Sequence, residues 1–296
     1  MVRRLVALAA VLASAISSLA ASPAGSSPAP SVQHLFVVLM ENRSYSEAMS
    51  DPTIAAIAAR GALFTNYYAV SHPSAPNYLA LAGGSTFGLT SDCVTCYVNA
   101  PNLGYQLSAA HVPWDAYLEG VPGPCFLAPY GGNDYAAKHN PFQYFDDIRS
   151  SRAECSHLRP LTDLAPTLRR PAASVPAFLW VTPDLCHDGH DCSTATAAAW
   201  LKSFVAEVTS SAAYRSGGAL IITWDEGFGS AGLTSPGHVG AYAGGGQVAT
   251  IVLSPQTRPG TRVARPLNHY SLLATVEENF GLVRLGHARG AATLDG

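Results

Sequence analysis

The sequence predicts an α/β fold, with a mainly parallel central sheet covered by helices on both faces, on three observations. Four apolar runs of strand length, HLFVVLM (34–40), AFLWVTP (177–183), ALIITW (219–224) and VATIVLSP (248–255), are uninterrupted rather than alternating, as strands buried on both faces are. Helical stretches lie between them, PTIAAIAARG (52–61), TATAAAWLKSFVAEVTSS (194–211) and HYSLLATVEENFGL (269–282), and strand–helix alternation favours parallel pairing. The apolar runs also end repeatedly in polar residues. Ligands of such sheets sit outside the carboxyl ends of the strands, and there the chain carries Glu41, Asn42, Asp184, His187, His190, Asp225 and Glu226.

Taken in order, the chain opens with MVRRLVALAAVLASAISSLAA, in which Arg3 and Arg4 precede an apolar stretch of roughly 14 residues, too short for the ~20 of a membrane span. Residues 1–20 read as a signal peptide cut after Ala20, and 21–33, rich in Ser, Pro and Gly, as a flexible mature N-terminus. The protein is therefore expected to be secreted, to the periplasm or the exterior, without a transmembrane anchor. Neither a composition shift nor an internal repeat divides 34–296, which reads as one domain. Gly61 and Gly281 stand where helix C-caps are expected. Residues 112–170, rich in Pro, Gly and Tyr, read as an insertion over the active face. Six cysteines in an exported chain imply three disulfides. The short spacing favours Cys186 with Cys192 and leaves Cys93, Cys96, Cys125 and Cys155 with three possible pairings. Charged residues are 12% of the chain and the formal net charge is −3. With no basic run either, nothing supplies the electrostatic footprint of a nucleic-acid binder.

The strand ends hold the chemistry. VVLMENRS ends a buried strand in Glu41 and Asn42, a carboxylate and an amide oxygen that are hard ligands for a divalent cation. ALIITWDEGFG repeats the arrangement with Asp225 and Glu226. Converging on one sheet edge, the four supply three or four oxygens, enough for one metal. In YAVSHPSAPNYLALAGGST (68–86), Ser74 stands where a helix starting near Ala75 or Pro76 points its free N–H groups and positive dipole end, a place for a phosphate. A hydroxyl there, beside a cation, is poised to attack phosphorus, and Asn77, one turn in, could donate to a phosphoryl oxygen. The alternative is that Ser74 only caps the helix. Among the histidines, His190, flanked by Asp188 and Asp191 in CHDGHDC, stands out; His139 in KHNPF, His72 and His269 are further candidates.

MENRSYSEAM, SHPSAPNYLALAGGST, PDLCHDGHDCS, ITWDEG and NHYSLLATVEENFGL occur in this order across nearly the whole mature chain. Together they resemble the bacterial secreted phosphoesterases that group acid phosphatases with phosphatidylcholine-type phospholipases C, a branch of the alkaline phosphatase superfamily. The resemblance implies an alkaline-phosphatase-like single domain. It also implies Ser74 as nucleophile in a Ser-x-Pro-Asn version of the superfamily's Thr-x-Pro-Asn motif, with Asn77 as phosphate ligand; His139 and His72, from their own setting, are candidates to bind the substrate. Glu41, Asn42, Asp225 and Glu226 would be metal ligands and His190 would protonate the leaving oxygen or bind a phosphoryl oxygen, with Asp191 and His269 as further candidates. Two-zinc members carry an Asp-His pair where this chain has Asp225 and Glu226, so the resemblance implies one ion: calcium, magnesium, manganese or zinc. Gln247 replaces the histidine of the usual GGGHVATIVVSP, with His238 nearby in SPGHVG. The expected activity is a secreted metal-dependent phosphatase that cleaves small-molecule or lipid phosphate monoesters, phosphoinositides among them, through a phosphoserine. A phospholipase C-type phosphodiesterase is the alternative, and an inactive binding module a third reading.

Overall fold

The computed structural model describes residues 32–132, 134–227 and 244–295. The signal peptide and most of the N-terminal segment expected from the sequence lie outside these residues, as does His238.

Nine strands form one sheet: β1 (Leu35–Met40), β2 (Ala62–Tyr68), β3 (Trp114–Leu118), β4 (Leu158–Pro160), β5 (Phe178–Thr182), β6 (Ala219–Trp224), β7 (Gln247–Leu253), β8 (Thr261–Val263) and β9 (Leu267–Asn268). Their order is β4-β3-β5-β1-β6-β7-β2-β8, and β9 extends the pairing beside β2. Every pairing is parallel except those of β7, which runs antiparallel to both β6 and β2. The sheet is thus mostly parallel, in a single domain, as the unbroken apolar runs predict. All six residues of β1 and of β6 are buried. Because neighbouring side chains on a strand point to opposite faces, both faces of the sheet centre are covered.

The helices follow their sequence signals. Ser193 caps the helix Thr194–Ser210 by accepting from the Thr196 N–H. That helix buries Ala197, Ala198, Leu201, Phe204, Val205 and Val208, a stripe with helical spacing. Asn268 caps the helix His269–Asn279, and Gly281, at φ +65°, closes it in the left-handed conformation that glycine adopts freely. Gly61 differs from expectation. Its helix, Pro52–Ala58, already ends at Ala59 in right-handed geometry. Glycine is required at 61 by close approach, since a Cβ there would lie 2.2 Å from the carbonyl oxygen of Val252 in β7.

Residues 112–170 also require correction. They are no mere cover: β3 and β4 belong to the central sheet, and the stretch between them carries Lys138 and His139 into its edge. The six cysteines form Cys93–Cys96, Cys125–Cys155 and the expected Cys186–Cys192, and none is free. No helix among the described residues is long and apolar enough to cross a membrane.

Close approach at Gly61 makes a prediction. Gly61→Ala should cost about 1–3 kcal/mol, the usual penalty of overpacking, measured as a lowered urea midpoint. Gly123→Ala, where an added Cβ meets nothing within 4 Å, should leave the midpoint near wild type.

Candidate active site

Register places the first carboxylates. β1 and β6 run parallel in step, Met40 opposite Trp224, so Glu41 and Asp225 leave the sheet side by side. The Asp225 N–H donates to Met40 O (3.0 Å), and the Asn42 N–H to Asp225 Oδ1 (3.0 Å). Asn42 sits at φ +52°, a left-handed conformation that asparagine tolerates better than most residues. Glu41, Asp225 and Glu226 are all buried. Burial, then the neighbouring Asp225 and Asp188, pushes the Glu41 carboxyl well above its ordinary range. Burial raises Asp225 to about 6, and burial with Asp225 alongside raises Glu226 to about 10. Three acidic groups crowded out of water resist ionisation unless positive charge is brought to them.

The helix Ser74–Gly83 points its N-terminus at this edge. Its N-cap position is Pro73, which makes no side-chain cap, and Ser74 is the first helical residue. Instead of capping the helix, the buried Ser74 hydroxyl donates to Glu41 Oε2 (3.1 Å) and lies 3.5 Å from Glu226 Oε1. Tyr78, four residues on and so on the same helix face, donates to Glu41 Oε1 at 2.6 Å. Asn77 is placed differently. Its Oδ1 accepts from the Val70 and Ser71 N–H groups (3.0 Å each), and its Nδ2 donates to Ser71 O (2.8 Å) and Pro73 O (3.3 Å). All of its amide capacity holds the loop that leads into Ser74.

Of the histidines, His139 is fully enclosed, with Nε2 3.3 Å from Glu41 Oε1 and Nδ1 3.2 Å from Asp188 Oδ2, its ring stacked on Tyr78. Burial, and then the Lys138 charge, holds it well below the ordinary imidazole range and so neutral. His190 Nδ1 meets Asp191 Oδ1 at 2.6 Å, and its Nε2 lies 3.1 Å from Lys138 Nζ. His72 Nδ1 meets Glu226 Oε2 at 2.7 Å. His269 stands behind the site: its Nε2–H donates to the backbone oxygen of Asp225 (2.5 Å), and Nδ1 faces the Tyr67 hydroxyl (3.3 Å). It braces the strand end rather than facing a substrate. Asp184 and His187 form a separate cluster with Glu119, the imidazole 3.0 Å from Glu119 Oε1. Gln247 donates to Thr65 O across the β2–β7 pairing (2.8 Å).

Four residues of the site carry no strong sequence signal. Lys138, beside His139, extends its ammonium to Asp92 (3.1 Å). Burial lowers its pKa, but Glu41 and Asp92 more than offset this, so it stays charged. Asp92 accepts from the Ala75 N–H (3.0 Å), and Asp188 accepts from the His190 N–H (2.7 Å). Asp188 was in view only as a flank of His190, and Tyr78 was within reach from its i,i+4 spacing to Ser74.

The donor set fits a divalent cation. Asn42 Oδ1 and Asp225 Oδ2 are buried without a hydrogen-bond partner, an arrangement costly for oxygens facing nothing positive. Glu41 also brings an oxygen within 4.8 Å of ring nitrogens of His139 and His190, so two donor groups, one of oxygens and one with nitrogens, meet at the same carboxylate.

This sheet, with a serine-headed helix facing acidic strand ends, is an alkaline-phosphatase-like architecture. A protein of the alkaline phosphatase superfamily from Vibrio parahaemolyticus has a similar fold (TM-score 0.56, 12% identity, 88% of this chain and 71% of that one). The PsFucS1 sulfatase from Pseudoalteromonas is likewise similar (TM-score 0.58, 12% identity, 89% and 71%). The chain belongs to the phosphoesterase family, whose family model matches residues 48–283.

 The phosphatidylinositol-3-phosphatase of Mycobacterium tuberculosis is 32% identical over 289 residues, covering 96% of this chain and 88% of that protein. The acid phosphatase of Aspergillus fumigatus is 30% identical over 288 residues, covering 92% of this chain. The chain spans 61% of the length of that acid phosphatase and 59% of the phosphate-repressible acid phosphatase of Penicillium chrysogenum.

His269 makes a prediction about acid. Burial lowers its pKa to about 4, against about 6.5 when exposed. Because the unfolded chain takes up the proton first, the stability this group contributes is present above pH ~6.5 and is lost as pH falls towards ~4, about 3 kcal/mol in all. His269→Gln, which keeps a donor for Asp225 O but cannot titrate, should flatten the dependence of stability on pH in this window, measured by denaturant unfolding. Parallel wild-type and variant curves would contradict it.

Proposed function

We propose that the protein is a secreted, metal-dependent phosphatase that cleaves phosphate monoesters, with Ser74 as nucleophile and one divalent ion bound by Glu41, Asn42 and Asp225, with Glu226 beside them. The observation that carries this reading is the Ser74 hydroxyl: it leads a helix without capping it and is aimed at buried strand-end carboxylates. Membership of the phosphoesterase family supports the reaction class, and the named phosphatase relatives support monoesters over diesters. The phosphatidylinositol-3-phosphatase relative keeps phosphoinositide headgroups among the substrates. Three disulfides support an oxidising compartment and hence secretion.

The ion, when bound, would neutralise the carboxylates and lower the pKa of the serine hydroxyl. Ser74 Oγ forms the bond to phosphorus as its proton passes to Glu41, the carboxylate it already donates to. The ester P–O bond breaks, and the leaving oxygen takes a proton from the side of the site held by His190 and Lys138. Lys138 and the Ala75 N–H offer positive charge and a donor to the phosphoryl oxygens. Water then attacks phosphorus, losing its proton to the side held by His190 and Lys138, as the Ser74 Oγ–P bond breaks and Oγ recovers its proton from Glu41. Asn77 serves by fixing the loop before Ser74, and His269 by fixing Asp225.

The nitrogen donors of His139 and His190 favour a second assignment of the metal, in which they join Glu41 and the ion is zinc. Elemental analysis of the purified protein separates the two.

Ser74→Ala should lower kcat about a thousandfold or more with little change in stability. If the hydroxyl were only structural, turnover would survive. Chelation should abolish hydrolysis of p-nitrophenyl phosphate, and Glu41→Ala or Asp225→Ala should do the same in folded protein; full activity in EDTA would contradict the metal. Turnover of p-nitrophenylphosphorylcholine in preference to the monoester would point to a phospholipase C-type enzyme instead.

A further inference from the structure

The helix Ser74–Gly83 reaches the site with few donors to offer. Prolines at 73 and 76 have no N–H, which leaves Ser74 and Ala75 as the free N–H groups of the first turn. One of the two is already engaged, because the Ala75 N–H donates to Asp92 Oδ1 at 3.0 Å. The other oxygen of the same carboxylate, Oδ2, accepts from Lys138 Nζ at 3.1 Å. Lys138 in turn lies 3.1 Å from His190 Nε2. Asp92 therefore makes the contacts that a phosphoryl group would need next to Ser74: one helix N-terminal N–H and one ammonium.

Nor is Asp92 fixed in the core. Its side chain is 32% exposed, against 17% for Lys138. It immediately precedes the short loop closed by Cys93–Cys96, where Thr95 and Cys96 are exposed. A carboxylate so placed can turn outward without disturbing the sheet.

Resting on the phosphatase reading above, we propose that Asp92 is a specificity-determining residue of the phosphoryl pocket: its carboxylate occupies the anion position on the Ala75 N–H and Lys138, and phosphate binds only by displacing it. The carboxylate sets how tightly the pocket holds a phosphate dianion. Removing its charge frees two donors and removes a repulsion, so substrate and product both bind more tightly.

The experiment is a calorimetric titration of the metal-loaded wild type, Asp92→Asn and Asp92→Glu with inorganic phosphate, with turnover of p-nitrophenyl phosphate measured alongside. Asp92→Asn should bind phosphate about tenfold more tightly and show a KM lowered in step, as expected for removing one like charge within a few ångströms of the bound anion. Asp92→Glu, which keeps the charge, should stay close to wild type and so separates charge from disruption of the loop. Equal or weaker phosphate binding by Asp92→Asn would overturn the inference, since a carboxylate that only positions Lys138 would weaken the site when neutralised. Tighter binding in a protein that turns over no phosphate ester would sustain the pocket assignment and contradict the catalytic reading.

Discussion

Glu41, Asp225 and Glu226 lie buried at the ends of two adjacent parallel strands, and the site is organised around their mutual repulsion. Such groups avoid burial unless something holds them and something neutralises them. The holding is visible at each one. Glu41 takes hydrogen bonds from Tyr78 and Ser74, Asp225 takes one from the Asn42 N–H while His269 grips its carbonyl, and Glu226 is paired with His72. Parallel pairing of β1 with β6 supplies the common origin, because it delivers Glu41 and Asp225 to the same level of the sheet. Burial raises the pKa values of Glu41 and Asp225, with the neighbouring carboxylates adding to it at Glu41, and Asn42 Oδ1 and Asp225 Oδ2 are left buried without a partner, oxygens that a bound cation would satisfy.

The helix Ser74–Gly83 answers to the same constraint. A helix N-terminus carries partial positive charge, so directing it at an acidic edge is favourable in itself. The prolines around Ser74 and the amide of Asn77 fix the approach, and the serine hydroxyl then reaches a carboxylate instead of a cap. Structure and the proposed chemistry are linked at this point, since the Ala75 N–H proposed to hold a phosphoryl oxygen already accommodates the protein's own carboxylate, Asp92.

Much of this was legible in the sequence because the central strands are buried on both faces and so lack polar interruptions. β1, β5, β6 and β7 could be read from apolar runs alone, and the acidic residues that end β1 and β6 followed. β3 and β4 were hidden in 112–170, where WDAYL is short and interrupted by Asp115, and where the Pro, Gly and Tyr content resembles a loop. Gly61 shows the limit of reading a residue by its local role: it looks like a cap but answers to a carbonyl of a strand nearly two hundred positions away. The same limit applies in the site. Lys138 and Asp92 reach it through irregular segments that have no periodicity to align them with Ser74, whereas Tyr78 is related to Ser74 by helical spacing. Asn77 was legible as important, but its sequence neighbours did not reveal that its amide turns back onto its own loop.

The central claim is that Ser74 forms a covalent bond to phosphorus. Its most direct test is to mix metal-loaded enzyme with substrate, quench in acid within the turnover time, and map phosphate on the peptides by mass spectrometry. The account predicts phosphate on Ser74, and none in Ser74→Ala. Phosphate on Ser71 or on a histidine, or no phosphopeptide from an enzyme that is turning over, would contradict it.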